Sequence, residues 1–156
     1  MITKTCVLIL ENIRSVENTA SIFRTADGFR VSKIILIGTT PTPIDRFNRK
    51  RQDFAKVSLG AENMVAWEYQ KRIRSVISNL KKDGFRIIAL EQTSGAKDLK
   101  SLPKPEKFAV IVGNEITGVS KEALNASDVV AEIPMLGSKE SLNVSVATGV
   151  ALFVLL

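Results

Sequence analysis

Two short apolar runs, Thr5–Leu10 and Lys33–Ile37, stand on either side of a segment with helical periodicity. No other feature constrains the fold as much. The intervening segment begins near Ser15 to Asn18, carries Ile22, Phe23, Ala26 and Phe29 on one face, and ends at Asp27-Gly28. Strand, helix and strand within about 35 residues make a βαβ unit, and such a crossover joins parallel strands. The same alternation continues along the chain. Strands are expected at Met64–Trp67, Arg86–Leu90, Lys107–Val112 and Val129–Ile133. Tyr69–Lys82 reads as a helix with Ile73, Val76, Ile77 and Leu80 inward, stopped by Gly84. Ser120 is a natural N-cap for a short helix to Ala126, and an apolar helix opening on Ser141 closes the chain. The expected architecture is α/β, a mostly parallel sheet with helices on both faces, forming a single domain over 1–156.

Composition removes several functions. The chain has no histidine, which excludes His-dependent triads and the commonest general base. Its one cysteine, Cys6, allows neither an intrachain disulfide nor a Cys-based metal site. No metal is expected. The net charge of +6 and pI near 9.6 favour a polyanionic partner. Cys6–Leu10 is too short for a secretory core and Val150–Leu156 too short to cross a bilayer, so the reading is a soluble cytoplasmic protein with no membrane partner. The apolar end, Leu155-Leu156, is expected to pack against something, a second subunit being one candidate.

Polar chemistry gathers where strands end. In open parallel sheets, ligands bind beyond the carboxyl ends of the strands. Here the segments after Leu90, Val112 and Ile133 are polar and glycine-rich. The terminal helix holds Asn143, Ser145 and Thr148 in an otherwise apolar stretch, and each needs a partner if buried. Between Thr39 and Arg51 lies a loop with Pro41, Pro43, the cations Arg46, Arg49, Lys50 and Arg51, and an embedded aromatic, Phe47. These cations are candidates for RNA backbone contacts. Neither a G-x-G-x-x-G fingerprint nor a Walker A sequence is present, which removes the main support for dinucleotide and P-loop readings.

Three segments together are more specific. NTASIFRTAD (18–27), IVGNEITG (111–118) and IPMLGSKESLNVSVA (133–147) occur in this order. They resemble the three motifs of SpoU-type (TrmH-like) RNA ribose 2′-O-methyltransferases of the SPOUT superfamily, and the resemblance spans nearly the whole chain. It implies a C-terminal deep trefoil knot, which no local pattern would produce. It further implies S-adenosylmethionine as cofactor, tRNA or rRNA as substrate, and a homodimer with its sites near the subunit interface. By position, Asn18, Arg24, Glu115, Ser141 and Asn143 would be the catalytic group. Gly113, Ile133, Met135 and Leu142 would hold the cofactor, with Gln92 and Thr93 on its rim.

The resemblance leaves one chemical difficulty. Family accounts make the arginine a general base, yet a guanidinium in a protein stays protonated at neutral pH. We therefore read Arg24 as an electrostatic and orienting group, set on the RNA phosphate or the developing alkoxide. Its bland alternative is a surface arginine paired with Asp27 at i+3. Glu115 has a structural alternative as a turn carboxylate, and Ser141 as an N-cap. No separate RNA-binding domain precedes Thr5 or follows Leu156 in this sequence, so substrate choice is expected to rest on the catalytic domain, its dimer or another protein. The rival functions are a non-catalytic RNA-binding relative and an unrelated nucleotide-binding α/β enzyme.

Overall fold

A computed structural model describes residues 3–156. Seven strands form one sheet: β1 (Thr5–Glu11), β2 (Lys33–Ile37), β3 (Trp67–Gln70), β4 (Arg86–Leu90), β5 (Lys97–Asp98), β6 (Lys107–Val112) and β7 (Val129–Glu132). Their order is β3-β2-β1-β6-β4-β7-β5, and every ladder is parallel. The five helices are α1 (Val16–Gly28), α2 (Gln52–Ser58), α3 (Ile73–Lys82), α4 (Lys121–Ala126) and α5 (Val144–Leu155).

The central strands are apolar along their whole length because both faces are covered, as parallel sheets require. Cys6, Leu8, Leu10, Ile34, Leu36, Phe108, Val110 and Val112 point into one core. There they meet Ala20, Ile22, Phe23 and Ala26 of α1, Phe54 of α2 and Ala151, Leu152 and Leu155 of α5. Phe23 and Phe54 meet edge-on, ring centres 5.2 Å apart. The alternate residues Val7, Ile9, Ile35, Ile37, Ala109 and Ile111 face Ile73, Val76 and Ile77 of α3 and Ala123 of α4. Burial pushes the Cys6 thiol up to about 12, so it is an inert core residue.

The fold class and the βαβ opening are as expected. Helix α2 falls where no helix was expected, and four local boundaries differ. The strand expected at Met64–Trp67 is displaced to Trp67–Gln70, so Tyr69 and Gln70 belong to β3 and the helix starts at Ile73. Ladder pairing with β2 overrides the local pattern there. The Pro-containing stretch after Ala96 supplies the two-residue edge strand β5, too short to show a period. The terminal helix starts at Val144 and not at Ser141, because the Asn143 side chain takes the cap by accepting the Ser145 and Val146 N–H groups. Leu155 packs inside its own chain, and Lys4 Nζ donates to the carbonyls of Leu155 (2.6 Å) and Leu156 (3.2 Å).

Two placements prepare the site. β6 lies between β1 and β4, and β7 between β4 and β5. Each of these late strands therefore enters a slot whose walls come from earlier chain. All strands being parallel, the loops after β1, β2, β4, β6 and β7 emerge along one edge of the sheet.

Candidate active site

A cleft of about 660 Å³ opens at that edge, beyond the neighbouring strands β6, β4 and β7. Its walls are the segments Leu90–Thr93, Val112–Val119, Glu132–Met135 and Ser141–Val144. All six residues assigned to the cofactor (Gln92, Thr93, Gly113, Ile133, Met135 and Leu142) line it, as do Glu115, Ser141 and Asn143.

Glu115 ties the mouth together. Its carboxylate accepts the Arg14 N–H at 2.9 Å, the Ser15 N–H at 3.1 Å and Asn18 Nδ2 at 3.1 Å. Partial desolvation raises its pKa, but the Arg14 N–H, the Asn18 amide and the other donors outweigh this. The carboxyl ends below its ordinary value. Because a carboxylate only accepts, Asn18 must present Nδ2 to it and Oδ1 to the other side. That Oδ1 accepts Asn143 Nδ2 at 3.1 Å. Asn143 Oδ1 in turn accepts the Ser145 N–H at 2.8 Å and hydroxyl at 2.6 Å. One polar relay thus joins all three motif segments.

Of the three polar residues that stood out in the apolar helix, two are satisfied locally. Ser145 bonds to Asn143, and the Thr148 hydroxyl donates to the Val144 carbonyl at 2.7 Å. Only Asn143 faces the relay.

Two carboxylates that the sequence did not mark out pin the Gly113–Ser120 loop. Glu11, only 3% exposed, accepts the Ser120 N–H (2.8 Å) and hydroxyl (2.7 Å). Glu91 accepts the Val119 N–H at 2.8 Å and the Gln92 N–H at 2.9 Å, so it links two walls of the cleft. The signal was present: each is a charged residue ending an apolar strand. Gly118 has φ +73, and a Cβ there would strike the Glu91 carboxylate. A Cβ on Gly113 would strike the Gly118 and Val119 backbone.

Arg24 is not brought to the cleft of its own chain. It is exposed on α1, six residues beyond Asn18 and about 120° around the helix from it. Among the described residues it has no hydrogen bond or ion pair, so the Asp27 pairing does not form. This end of α1 packs against α5, its neighbour Thr25 having Cγ2 3.6 Å from a Cβ built on Gly149. Ser141 lines the cleft with an exposed hydroxyl and caps nothing.

The basic loop follows β2 at the same edge. Its four cations differ in availability. Arg51 is forked onto Asp53, and Arg49 Nε donates to Asp45 at 2.9 Å. Arg46 and Lys50 have no carboxylate partner among the described residues.

The family profile for the SpoU rRNA Methylase family matches residues 5–153. The chain belongs to that family. A Thermus thermophilus relative, a tRNA (guanosine(18)-2′-O)-methyltransferase, is 33% identical over 149 residues, 94% of this chain and 71% of its own length. The crystal structure of the A. aeolicus TrmH/SpoU tRNA modifying enzyme superposes with TM-score 0.84 at 26% identity, covering 97% of this SpoU chain and 74% of that one. The AdoMet-bound rRNA methyltransferase of Sinorhizobium meliloti has the same fold: TM-score 0.84 and 24% identity over 96% of this chain, which spans 55% of that protein. The relay joins Asn18, Glu115 and Asn143, one from each of the three segments singled out in the sequence.

Proposed function

We propose that this SpoU chain transfers a methyl group from S-adenosylmethionine to a ribose 2′-hydroxyl in tRNA or rRNA. The observation that carries the reading is the Glu115–Asn18–Asn143 relay at the mouth of a strand-end cleft. The cleft has the size of an ordinary small-molecule site. Its walls mix polar residues such as Gln92, Thr93 and Asn114 with the apolar Leu90, Ile133 and Leu142, which suits a nucleoside with a short polar tail. When bound, the cofactor supplies an already activated methyl on its sulfonium.

The chain's own task is to align the hydroxyl and accommodate its proton. Ser141 offers a free hydroxyl at the mouth, and the relay fixes Asn18 and Asn143 beside it. With the cofactor held by Gln92, Thr93, Gly113, Ile133, Met135 and Leu142, Ser141, Asn18 and Asn143 would orient the ribose 2′-hydroxyl towards the methyl carbon. The hydroxyl proton passes to solvent, and the C–S electron pair stays on sulfur as a neutral thioether. Arg24⁺ acts as an orienting cation for RNA phosphate or the developing oxyanion, because a protonated guanidinium has no lone pair to serve as base.

Two further features accompany this reading. Val146, Val150 and Phe153 form a stripe on α5 at i, i+4 and i+7, with Val146 52% and Phe153 76% exposed. A homodimer packed through that stripe would bring the exposed Arg24, on the helix that packs against α5, towards the interface. The insertion of β6 and β7 between earlier strands supports the trefoil knot. RNA substrates make the cytoplasm the working compartment.

Calorimetric titration with S-adenosylmethionine tests the cofactor. Labelled-methyl transfer to RNA from cells lacking the protein, read by mass spectrometry, tests the reaction. A new 2′-O-methyl nucleotide is expected. Failure to bind cofactor at near-millimolar concentration would favour the non-catalytic RNA-binding relative.

A further inference from the structure

We infer that Phe47 is a stacking platform for an unpaired nucleobase, a binding site separate from the methyl-transfer cleft. The inference rests on the RNA reading above and deepens it.

Phe47 is 62% exposed, yet its loop is tightly built. The Asp45 carboxylate accepts the N–H groups of Phe47 (2.8 Å) and Arg49 (3.0 Å), and Asn48 is left-handed at φ +62. Ile44 and Lys50 close the loop as an antiparallel bridge. The ring is therefore held out by ordered backbone and is not a stray apolar side chain. The guanidiniums of Arg46 and Arg49 sit over it, 4.8 and 4.9 Å from its centre. Two guanidiniums thus flank one aromatic, with Lys50 three residues further along the same loop and Asp45 paired to Arg49.

This is the chemistry of single-stranded nucleic acid binding: a π-face for a base and cations for the adjoining phosphates. The occupied ring does not block it. Stacking a base is worth roughly 5- to 150-fold in affinity, against roughly 2- to 5-fold for an exposed guanidinium–ring contact. A base displaces one guanidinium, which is then free for a phosphate. A paired base offers no open face, so the platform favours unpaired segments.

The position is also suitable. The loop's root is tied to the motif region: Thr40 Oγ1 accepts the Ile13 N–H at 3.1 Å, and Asn12 Oδ1 accepts the Thr39 N–H at 3.0 Å. Ile13 adjoins Arg14, whose N–H is held by Glu115. A nucleotide bound at Phe47 would thus be registered against the relay by covalent and hydrogen-bonded links.

The test is fluorescence anisotropy with a labelled oligouridylate, an abasic oligomer of equal length and an RNA duplex. Phe47→Ala should weaken oligouridylate binding roughly 5- to 150-fold, with Phe47→Trp retaining it. The abasic oligomer and duplex should bind both variants alike. The salt slope should be unchanged by Phe47→Ala, since no charge is lost. Equal oligouridylate affinity for wild type and Phe47→Ala would overturn the platform, as would an equal loss on the abasic oligomer. Cofactor titration on the same samples separates the two readings. Normal uptake with a failed Phe47 result removes the platform alone, whereas no uptake in wild type removes the methyltransferase reading.

Discussion

At the scale of single residues, Asn143 does two jobs through opposite ends of one amide. Its Oδ1 caps α5, while its Nδ2 donates to Asn18. Asn143→Asp keeps an acceptor for the cap and deletes the donor. Thermal stability should hold while methyl transfer falls by roughly tenfold, the equivalent of one hydrogen bond of about 1.4 kcal/mol. Asn143→Ala should lose activity and also about 1 kcal/mol of cap stability in urea unfolding. Glu115 makes a pH prediction. Its folded pKa lies below the unfolded value of about 4.3, so its stabilising contribution is complete above that value and is lost as pH falls through the folded one. The stability difference between wild type and Glu115→Gln should be constant near neutral pH and shrink below about pH 4. A difference independent of pH would mean the Arg14 and Ser15 contacts do not depend on the charge. Arg24→Lys should lower turnover, because a single ammonium cannot reproduce a two-pronged contact. These roles were only partly legible in advance. The motif residues could be named, but the division of Asn143 between cap and relay depends on where α5 begins.

At the scale of elements, the Gly113–Ser120 loop is the piece that most depends on its neighbours. It is held at three points by carboxylates from elsewhere or within: Glu91 at Val119, Glu11 at Ser120, and its own Glu115 reaching the start of α1. Gly118→Ala should cost about 1–2 kcal/mol for its left-handed backbone, before any shift of Glu91. Gly113→Ala should be worse, since backbone stands in the way and a flexible side chain does not. Both should weaken cofactor binding in calorimetry, and normal affinity with Gly113→Ala would detach this loop from the pocket. Most elements were readable because period and length agree: β1, α1, β2, β4 and β6 lie within a residue or two of expectation. The two misread strands share one physical cause. Trp67–Gln70 and Lys97–Asp98 are edge strands defined by the ladder they join, not by their own pattern.

At the scale of the whole molecule, two proposals have mechanical consequences. Phe153→Glu should halve the mass in sedimentation velocity and reduce methyl transfer, because it charges the apolar stripe on α5. A chain that is monomeric before and after the change would leave Arg24 outside any shared site. On the proposal of a knot, pulling the chain by its ends should give an unfolded length short of the roughly 510–560 Å of a fully extended chain. The sequence by itself determined the parallel α/β class, since apolar runs and helical stripes alternate at lengths only crossovers can join. It also determined the inventory of the site, because the polar groups sit where strands end. Only the tertiary structure decided that Glu11 and Glu91 serve the cleft, that Asn18 bridges Glu115 to Asn143, and that Arg24 stands apart from it. Those facts turn on contacts between residues remote in the chain, from 28 positions for Glu91 with Val119 to 125 for Asn18 with Asn143. Local periodicity carries no information about such distances, whereas the order in which strands enter the sheet does.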